Sequence, residues 1–148
     1  MSLSDQINQG LKAAMKAKDD VRKRTLRAIK SEILLLKTDG TGAEITEEKE
    51  IKLLQKMAKQ REDSLSTFEQ QGRDELAQKE REELVIIKEF LPKQMDPAEL
   101  EAAIKAIIEK VGASSMKDMG KVMGMASKEF AGKADGKTIS TLVRQLLS

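Results

Sequence analysis

The chain has 148 residues with a formal net charge of +2, and it contains neither cysteine nor histidine. Disulfides, zinc sites built from Cys and His, and imidazole or thiolate catalysts are therefore excluded, and with them most hydrolase mechanisms. Only three residues are aromatic, which disfavours a β-sheet protein, and the charged fraction of 35% suits long helices with one apolar stripe. We predict an all-α protein with no catalytic residue, no cofactor and no metal site.

Neither a secretory leader nor a membrane span is predicted. Polar residues interrupt the first apolar stripe, which includes Leu3 and Ile7. The longest aliphatic runs, at 33–36 and 84–87, have four residues each, far fewer than a bilayer requires. We therefore expect a cytoplasmic protein without a membrane partner.

Two helices are predicted before the first clear break. The first runs from about Leu3 to Lys18, and the second carries apolar residues at alternating three- and four-residue steps. The second helix is expected to stop at Asp39, because the segment Thr38 to Ala43 contains two glycines and is typical of a loop.

Two longer helices follow. Thr46 suits the N-cap of the third, which is expected to end near Gly72. A turn there folds the fourth helix, whose apolar stripe is expected to begin at Leu76, back on the third as an antiparallel hairpin. Glu82 and Glu83 are adjacent, so their side chains should point to different sides of the fourth helix, and we expect both on its surface.

Both prolines fall in FLPKQMDP, Phe90 to Pro97. A proline cannot continue a helix and disfavours helical angles in the residue before it. We therefore predict an N-terminal helical domain, 1–94, with the antiparallel hairpin, and a C-terminal three-helix bundle, 95–148.

Three shorter helices are predicted in the bundle. Gly112 suits the C-cap of the fifth helix. Ser115 is expected to cap the sixth, with Asp118 in capping-box spacing. Ile139 and Val143 belong to the apolar stripe of the seventh.

The segment GKADGKT, Gly132 to Thr138, resembles a phosphate-binding P-loop. That motif needs a glycine where this chain has Ala131, and no strand precedes the segment. Two interpretations stay open. The segment is either a plain connector between helices, or a place where backbone amides and lysines meet phosphates of a nucleic-acid backbone.

Gly120 and Gly124 lie four residues apart in the sixth helix, where each costs roughly 1 kcal/mol relative to alanine. Either a neighbouring helix backbone or a ligand backbone is expected to approach closely there. Ser115 near Lys117 could suggest a nucleophile, but capping accounts for the serine.

Basic residues concentrate at the two ends of the chain, and acidic residues in the middle. Lys23, Arg27 and Lys30 form one ridge of the second helix by their spacing. This ridge is either a solvated face or a second RNA-facing patch. Without Tyr or Trp the chain lacks a platform for stacking single-stranded bases, so folded RNA fits better.

Several long segments resemble the YqeY family. They are KQREDSLSTF (59–68), Arg73-Asp74, FLPKQM (90–95), GASSMKDMGKVMG (112–124) and GKADGKTISTLVRQLL (132–147). The same pattern is similar to the C-terminal tail of the B subunit of tRNA-dependent amidotransferase, a glutamine-dependent carbon–nitrogen ligase, and related modules accompany glutaminyl-tRNA synthetase. The resemblance implies tRNA contact, without the catalytic cradle of that subunit.

The resemblance implies an RNA-facing surface in the C-terminal bundle, to which we add Lys128 and Arg144. The predicted set is Gly120, Lys121, Gly124, Lys128, Gly132, Lys133, Gly136, Lys137 and Arg144. We expect an accessory tRNA-binding protein. The alternatives are an interaction module that docks on amidotransferase subunits or an aminoacyl-tRNA synthetase, and a self-sufficient carbon–nitrogen ligase.

Overall fold

The computed structural model describes residues 1–40 and 44–148, and within these ranges it contains helices and no strand, which confirms the all-α class. The helices, in chain order, are α1 (Leu3–Ala17), α2 (Asp20–Lys37), α3 (Glu47–Gln70), α4 (Asp74–Glu89), α5 (Pro97–Val111), α6 (Met119–Glu129) and α7 (Gly136–Leu147). A single 3-10 turn, Met116–Asp118, precedes α6. The predicted loop from Thr38 to Ala43 extends beyond the described residues, because positions 41–43 are not among them.

Two compact units divide the chain, Met1–Leu91 and Pro92–Ser148. The division falls within the proline-containing segment. Pro97 occupies the first turn of α5, where its missing N–H costs no hydrogen bond. Asp96 caps this helix by accepting a hydrogen bond from the Glu99 backbone N–H at 2.8 Å, and this bond lowers the pKa of the Asp96 carboxyl below its usual value.

Side-chain caps mark the starts of α1 and α3 in the first unit. Ser2 and Asp5 form a reciprocal capping box at the start of α1. The hydroxyl of Thr46 accepts a hydrogen bond from the Lys49 N–H at 3.3 Å, which confirms the predicted start of α3. All four helices contribute to one core, whose fully buried members include Ile7 and Ile29.

Ion pairs show that α3 and α4 run antiparallel. Glu69 pairs with Arg81 at 3.0 Å, and Glu62, seven residues or two helical turns earlier, pairs with Lys88 at 3.5 Å. As the residue number falls along α3, the number of its partner on α4 rises, as expected for antiparallel helices. This packing places the buried face of α4 against α2 and α3.

The sequence prediction for the surface of α4 is wrong at two positions. Glu83 is buried, with 7% of its surface exposed, whereas it was expected in solvent. Leu76, expected in the apolar stripe, is 42% exposed. The buried face of α4 therefore begins at Ala77, one residue after the predicted Leu76.

In the second unit α5, α6 and α7 contact one another around a separate core. Leu100, Ile104, Val122 and Val143 are almost completely buried in it. Gly112 ends α5 with a left-handed backbone, φ 68°, as its predicted C-cap role requires.

The predicted capping box between Ser115 and Asp118 at the start of the sixth helix is wrong. Asp118 accepts a hydrogen bond from the Ser114 N–H at 3.0 Å, not from Ser115. Ser115 instead caps the short 3-10 turn through Lys117 N–H, and α6 begins only at Met119. The 3-10 turn thus lies between Ser115 and the start of α6.

Candidate nucleic-acid interface

The outer face of α6 carries four residues of the predicted surface. All four are exposed: Gly120, Lys121, Gly124 and Lys128. Val122 and Ala126 bury the opposite side of this helix in the core. Since each residue turns an α-helix by roughly 100°, the exposed set forms a continuous face directed away from that core.

At the two glycines on this face, the space that a side chain would occupy is open. A Cβ atom built at Gly120 or at Gly124 would meet no atom of the described residues within 4 Å, apart from the backbone of α6 itself. The interpretation that a neighbouring helix approaches the glycines is therefore wrong. By contrast, a Cβ at Gly10 of α1 would lie 2.9 Å from Leu26 Cδ1, as expected for helix packing. The α6 face is open to a ligand.

In the turn after α6, two adjacent residues of the predicted set, Gly132 and Lys133, lie in different environments. Gly132 is buried and has φ 77°, a left-handed conformation that favours glycine. Its carbonyl oxygen accepts a hydrogen bond from Gln94 Nε2 at 2.6 Å. The side chain of Lys133 is exposed. Gly132 thus shapes the turn from within the fold, and Lys133 is the member of the pair that a ligand can reach.

The start of α7 already holds a carboxylate. Asp135 caps the helix, with Oδ1 accepting from the Thr138 N–H at 2.9 Å and Oδ2 from the Thr138 hydroxyl at 3.0 Å. A phosphate at this helix end would compete with that negative charge. The amides that follow Gly136 are therefore weaker anion ligands than the sequence suggests, and the lysine side chains carry the attraction.

Lys137 and Arg144 share one side of α7. Both are exposed, and they lie away from Ile139 and Val143, which are buried. Their seven-residue separation is two helical turns, or about 10 Å along the axis. Lys121 and Lys128 have the same separation on α6, so each helix presents two cations in one line.

Ion pairs are distributed unequally between the two units. Among the residues that the structure describes, every ion pair except one lies within Met1–Leu91. The exception joins Lys105 to Glu101 on α5 at 3.5 Å.

The predicted surface keeps its positive charge unpaired. Five basic side chains are exposed without an ion pair to any described residue: Lys121, Lys128, Lys133, Lys137 and Arg144. Residues 110–148 contain seven basic and three acidic residues, and such a net excess of positive charge raises the local concentration of anionic ligands.

The second patch, on α2, is only partly free. Lys23 pairs with Asp20 at 3.6 Å, whereas Arg27 and Lys30 are exposed. Lys30 also borders a shallow groove against α1, with Lys12 and Met15 among its other lining residues. This groove combines apolar and cationic surface, unlike the α6 face.

Neither a metal site nor a membrane helix emerges from these residues. Across positions 1–40 and 44–148, no three Asp or Glu side chains come close enough together to hold an ion. No helix in the same ranges combines the length and the apolar character needed to cross a bilayer.

Together these observations define an all-helical protein of two units, the second of which exposes an open helix face and unpaired cations. The chain belongs to the Yqey-like protein family, whose model matches residues 4–147. This confirms the resemblance to the YqeY family.

Three similar relatives share the name "Altered inheritance of mitochondria protein 41, mitochondrial". The relative from Vanderwaltozyma polyspora is 32% identical over 120 residues, covering 76% of this chain and 64% of the relative. The one from Lachancea thermotolerans is 32% identical over 111 residues, 74% and 59% respectively. The one from Clavispora lusitaniae is 44% identical over 90 residues, 61% and 52%. The chain thus spans less than two thirds of the length of these relatives, and their names mention neither tRNA nor an amidotransferase.

Proposed function

We propose that the chain is an accessory tRNA-binding protein and that its second unit contacts the phosphate backbone of folded RNA. The observation that supports this most strongly is the set of five exposed cations without ion pairs in a unit whose sole ion pair between described residues is Lys105–Glu101. Phosphate neutralisation by Lys and Arg supplies most of the affinity of such complexes.

The open glycine face of α6 supports the same proposal. Without a side chain at Gly120 or Gly124, a ribose–phosphate strand can approach the helix backbone more closely than alanine would permit. Lys121 and Lys128 flank this strip on the same face. Backbone contacts of this kind position an RNA without reading its sequence, which agrees with the absence of Tyr and Trp.

A family association with glutamine-dependent amide formation on tRNA rests on the resemblance to the amidotransferase tail. We propose it as an association with that enzyme and not as an activity of this chain. The relatives are named as mitochondrial proteins, whereas the sequence favoured the cytoplasm. Both compartments contain tRNA, so either supplies the proposed ligand.

Filter binding of unmodified tRNA across a salt series tests the proposal. Replacing Lys121, Lys133 and Lys137 with Glu should weaken binding and flatten the dependence of log affinity on log salt by roughly one unit for each lost phosphate contact. Lys105→Glu, one charge reversal at a paired site of the same unit, is the control for each of the three corresponding single variants. An unfolded RNA of equal length should bind more weakly than tRNA. Equal affinity and slope for the triple variant and the wild type would overturn the proposal.

A second candidate function is docking on an amidotransferase or an aminoacyl-tRNA synthetase through the first unit. Leu34 and Leu35 on α2 are 60% and 63% exposed, and such side chains suit a protein interface. Mixing purified partners in the presence of RNase tests it. Docking should survive RNase and disappear in the Leu34→Glu, Leu35→Glu double variant, whereas Ser31→Glu on the same helix should have no effect.

A further inference from the structure

Gln94 ties the turn between α6 and α7 to a distant part of the chain. Its Nε2 atom donates to the carbonyl oxygen of Gly132 at 2.6 Å and to that of Pro92 at 2.9 Å. A side-chain amide nitrogen has two hydrogens, so both are used. One side chain thus holds together two segments that are 38 residues apart in sequence.

The neighbouring backbone adds a second link to the same turn. The N–H of Met95 donates to the carbonyl oxygen of Lys133 at 2.9 Å, and the Lys133 N–H donates to the Phe130 carbonyl oxygen at 2.9 Å. Both backbone groups of Lys133 are therefore bonded, while its ammonium group is exposed. The exposed ammonium group of Lys133 thus extends from a backbone that is hydrogen-bonded through both its N–H and its carbonyl.

A backbone that is already ordered favours ligand binding, because ordering a flexible loop on binding costs free energy. Gly132 adopts its left-handed turn directly before Lys133, and the Gln94 amide holds the Gly132 carbonyl in that turn. Without this hydrogen bond the buried carbonyl would have to find another donor, and the turn would sample other conformations. The direction in which Lys133 leaves the surface would then vary.

We propose that Gln94 is a positioning residue for RNA binding, which acts by fixing the turn that presents Lys133. This inference rests on the proposed function, since it assigns a role within the same surface. Gln94 acts through the turn and does not itself contact the RNA.

A double-mutant cycle on the full-length chain tests the inference, with tRNA affinity as the measurement. Gln94→Ala should weaken binding by about 2- to 10-fold, the cost of ordering one flexible side chain and its loop. In a Lys133→Gln background the same substitution should change affinity by less than about 2-fold, because the residue that it positions is gone. Gln71→Ala, at an exposed glutamine of the first unit, should bind like the wild type.

Hydrogen exchange gives a measurement that does not need RNA. The Met95 amide should exchange faster in Gln94→Ala than in the wild type, because its bond to Lys133 is no longer supported by the Gln94 link. Gln94→Met, which keeps the length of the side chain without the donor, should behave in the same way.

The outcomes separate the two proposals. If wild-type protein does not bind tRNA, the proposed function fails and the positioning role with it, even if exchange at Met95 responds. If the wild type binds and Gln94→Ala binds equally well, the positioning role alone is overturned. An equal loss in the Lys133→Gln background, or loss of helical circular dichroism in both Gln94 variants, would make Gln94 a general determinant of the fold and would also overturn it.

Discussion

Arg24 Nε donates a hydrogen bond to Glu83 Oε1 at 3.0 Å, and the other oxygen of this carboxylate lies 3.6 Å from Arg61 Nε. The three residues come from α2, α4 and α3. Only 9% of the Glu83 side chain is exposed, against 38% for Arg24. A carboxylate that leaves water needs compensating charge and hydrogen bonds. Here Arg24 supplies a hydrogen bond and a positive charge, and Arg61 supplies a second positive charge. This arrangement fixes the three helices relative to one another.

Glu83→Gln should destabilise the protein because it leaves two arginines facing a neutral amide. Arg61 Nε is already buried without a hydrogen-bond partner, and the substitution removes its one ion pair to a described residue. Breaking a fully buried pair typically costs about 3–5 kcal/mol. The partial exposure of Arg24 lowers this, and we expect a loss of about 2–3 kcal/mol in the free energy of unfolding. Urea unfolding followed by circular dichroism measures it.

Two further variants control for this experiment. Glu82→Gln removes the adjacent carboxylate, whose described contact is a surface hydrogen bond from Gln78, and should stay within about 0.5 kcal/mol of the wild type. Replacing all three charged residues together by Met, Leu and Met at 24, 83 and 61 should recover most of the loss, since apolar groups need no counter-charge. A wild-type unfolding curve for Glu83→Gln would contradict the stabilising role.

Features of the fold that depend on neighbouring residues could be predicted from the sequence. The cap at Thr46 involves an amide three residues away, and the C-cap at Gly112 depends on its own backbone angles. Glu83 was missed because its partner Arg24 is 59 residues away. A signal was present, since Glu83 precedes the buried Ile87 by four residues and thus shares its helix face.

On the candidate surface too, features set by neighbouring residues could be predicted, whereas contacts between distant residues could not. Unpaired lysines could be anticipated from the local excess of basic residues, whereas the sequence left open whether a helix or a ligand approaches Gly124. The link between Gln94 and Gly132 joins positions 38 apart, and no local pattern specifies such a pairing. Gly132 is buried, although the motif that contains it predicted a place on the RNA-facing surface.

Gly124→Ala should raise stability and lower RNA affinity together. The residue lies inside α6 with open space around it, so alanine should stabilise the helix by roughly 0.5–1 kcal/mol. If a ribose–phosphate strand lies against this strip, the added methyl group separates the two backbones and weakens binding. Thermal unfolding and tRNA filter binding measure the two effects. Ser127→Ala on the same helix adds no bulk and should leave affinity unchanged. A stabilised variant with unchanged affinity would indicate that no strand approaches this face.

Gly132→Ala should destabilise the second unit. A left-handed backbone costs a non-glycine residue about 1–2 kcal/mol, and Gly132 has φ 77° in a buried position. We expect at least this loss in the free energy of unfolding. Gly136→Ala is the matched control, because Gly136 is exposed and a Cβ there meets no described atom within 4 Å. Equal stability of the two variants would mean that the turn relaxes to accept a side chain.

The Asp96 cap predicts a specific dependence of stability on pH. The Glu99 N–H donates to this carboxylate and lowers its pKa in the folded protein. The unfolded chain has the usual pKa, about 3.9. The carboxylate therefore adds stability that is fully present above that value and is lost as the pH falls through the lower pKa of the folded state. Asp96→Ala should reduce the melting temperature at pH 7, and the difference from the wild type should shrink below about pH 4. Asp96→Asn keeps an oxygen acceptor without the charge, so its smaller difference from the wild type at pH 7 should also diminish in acid. If Asp96→Ala differed from the wild type by the same amount at pH 7 and at pH 2.5, the cap would be acting without its charge.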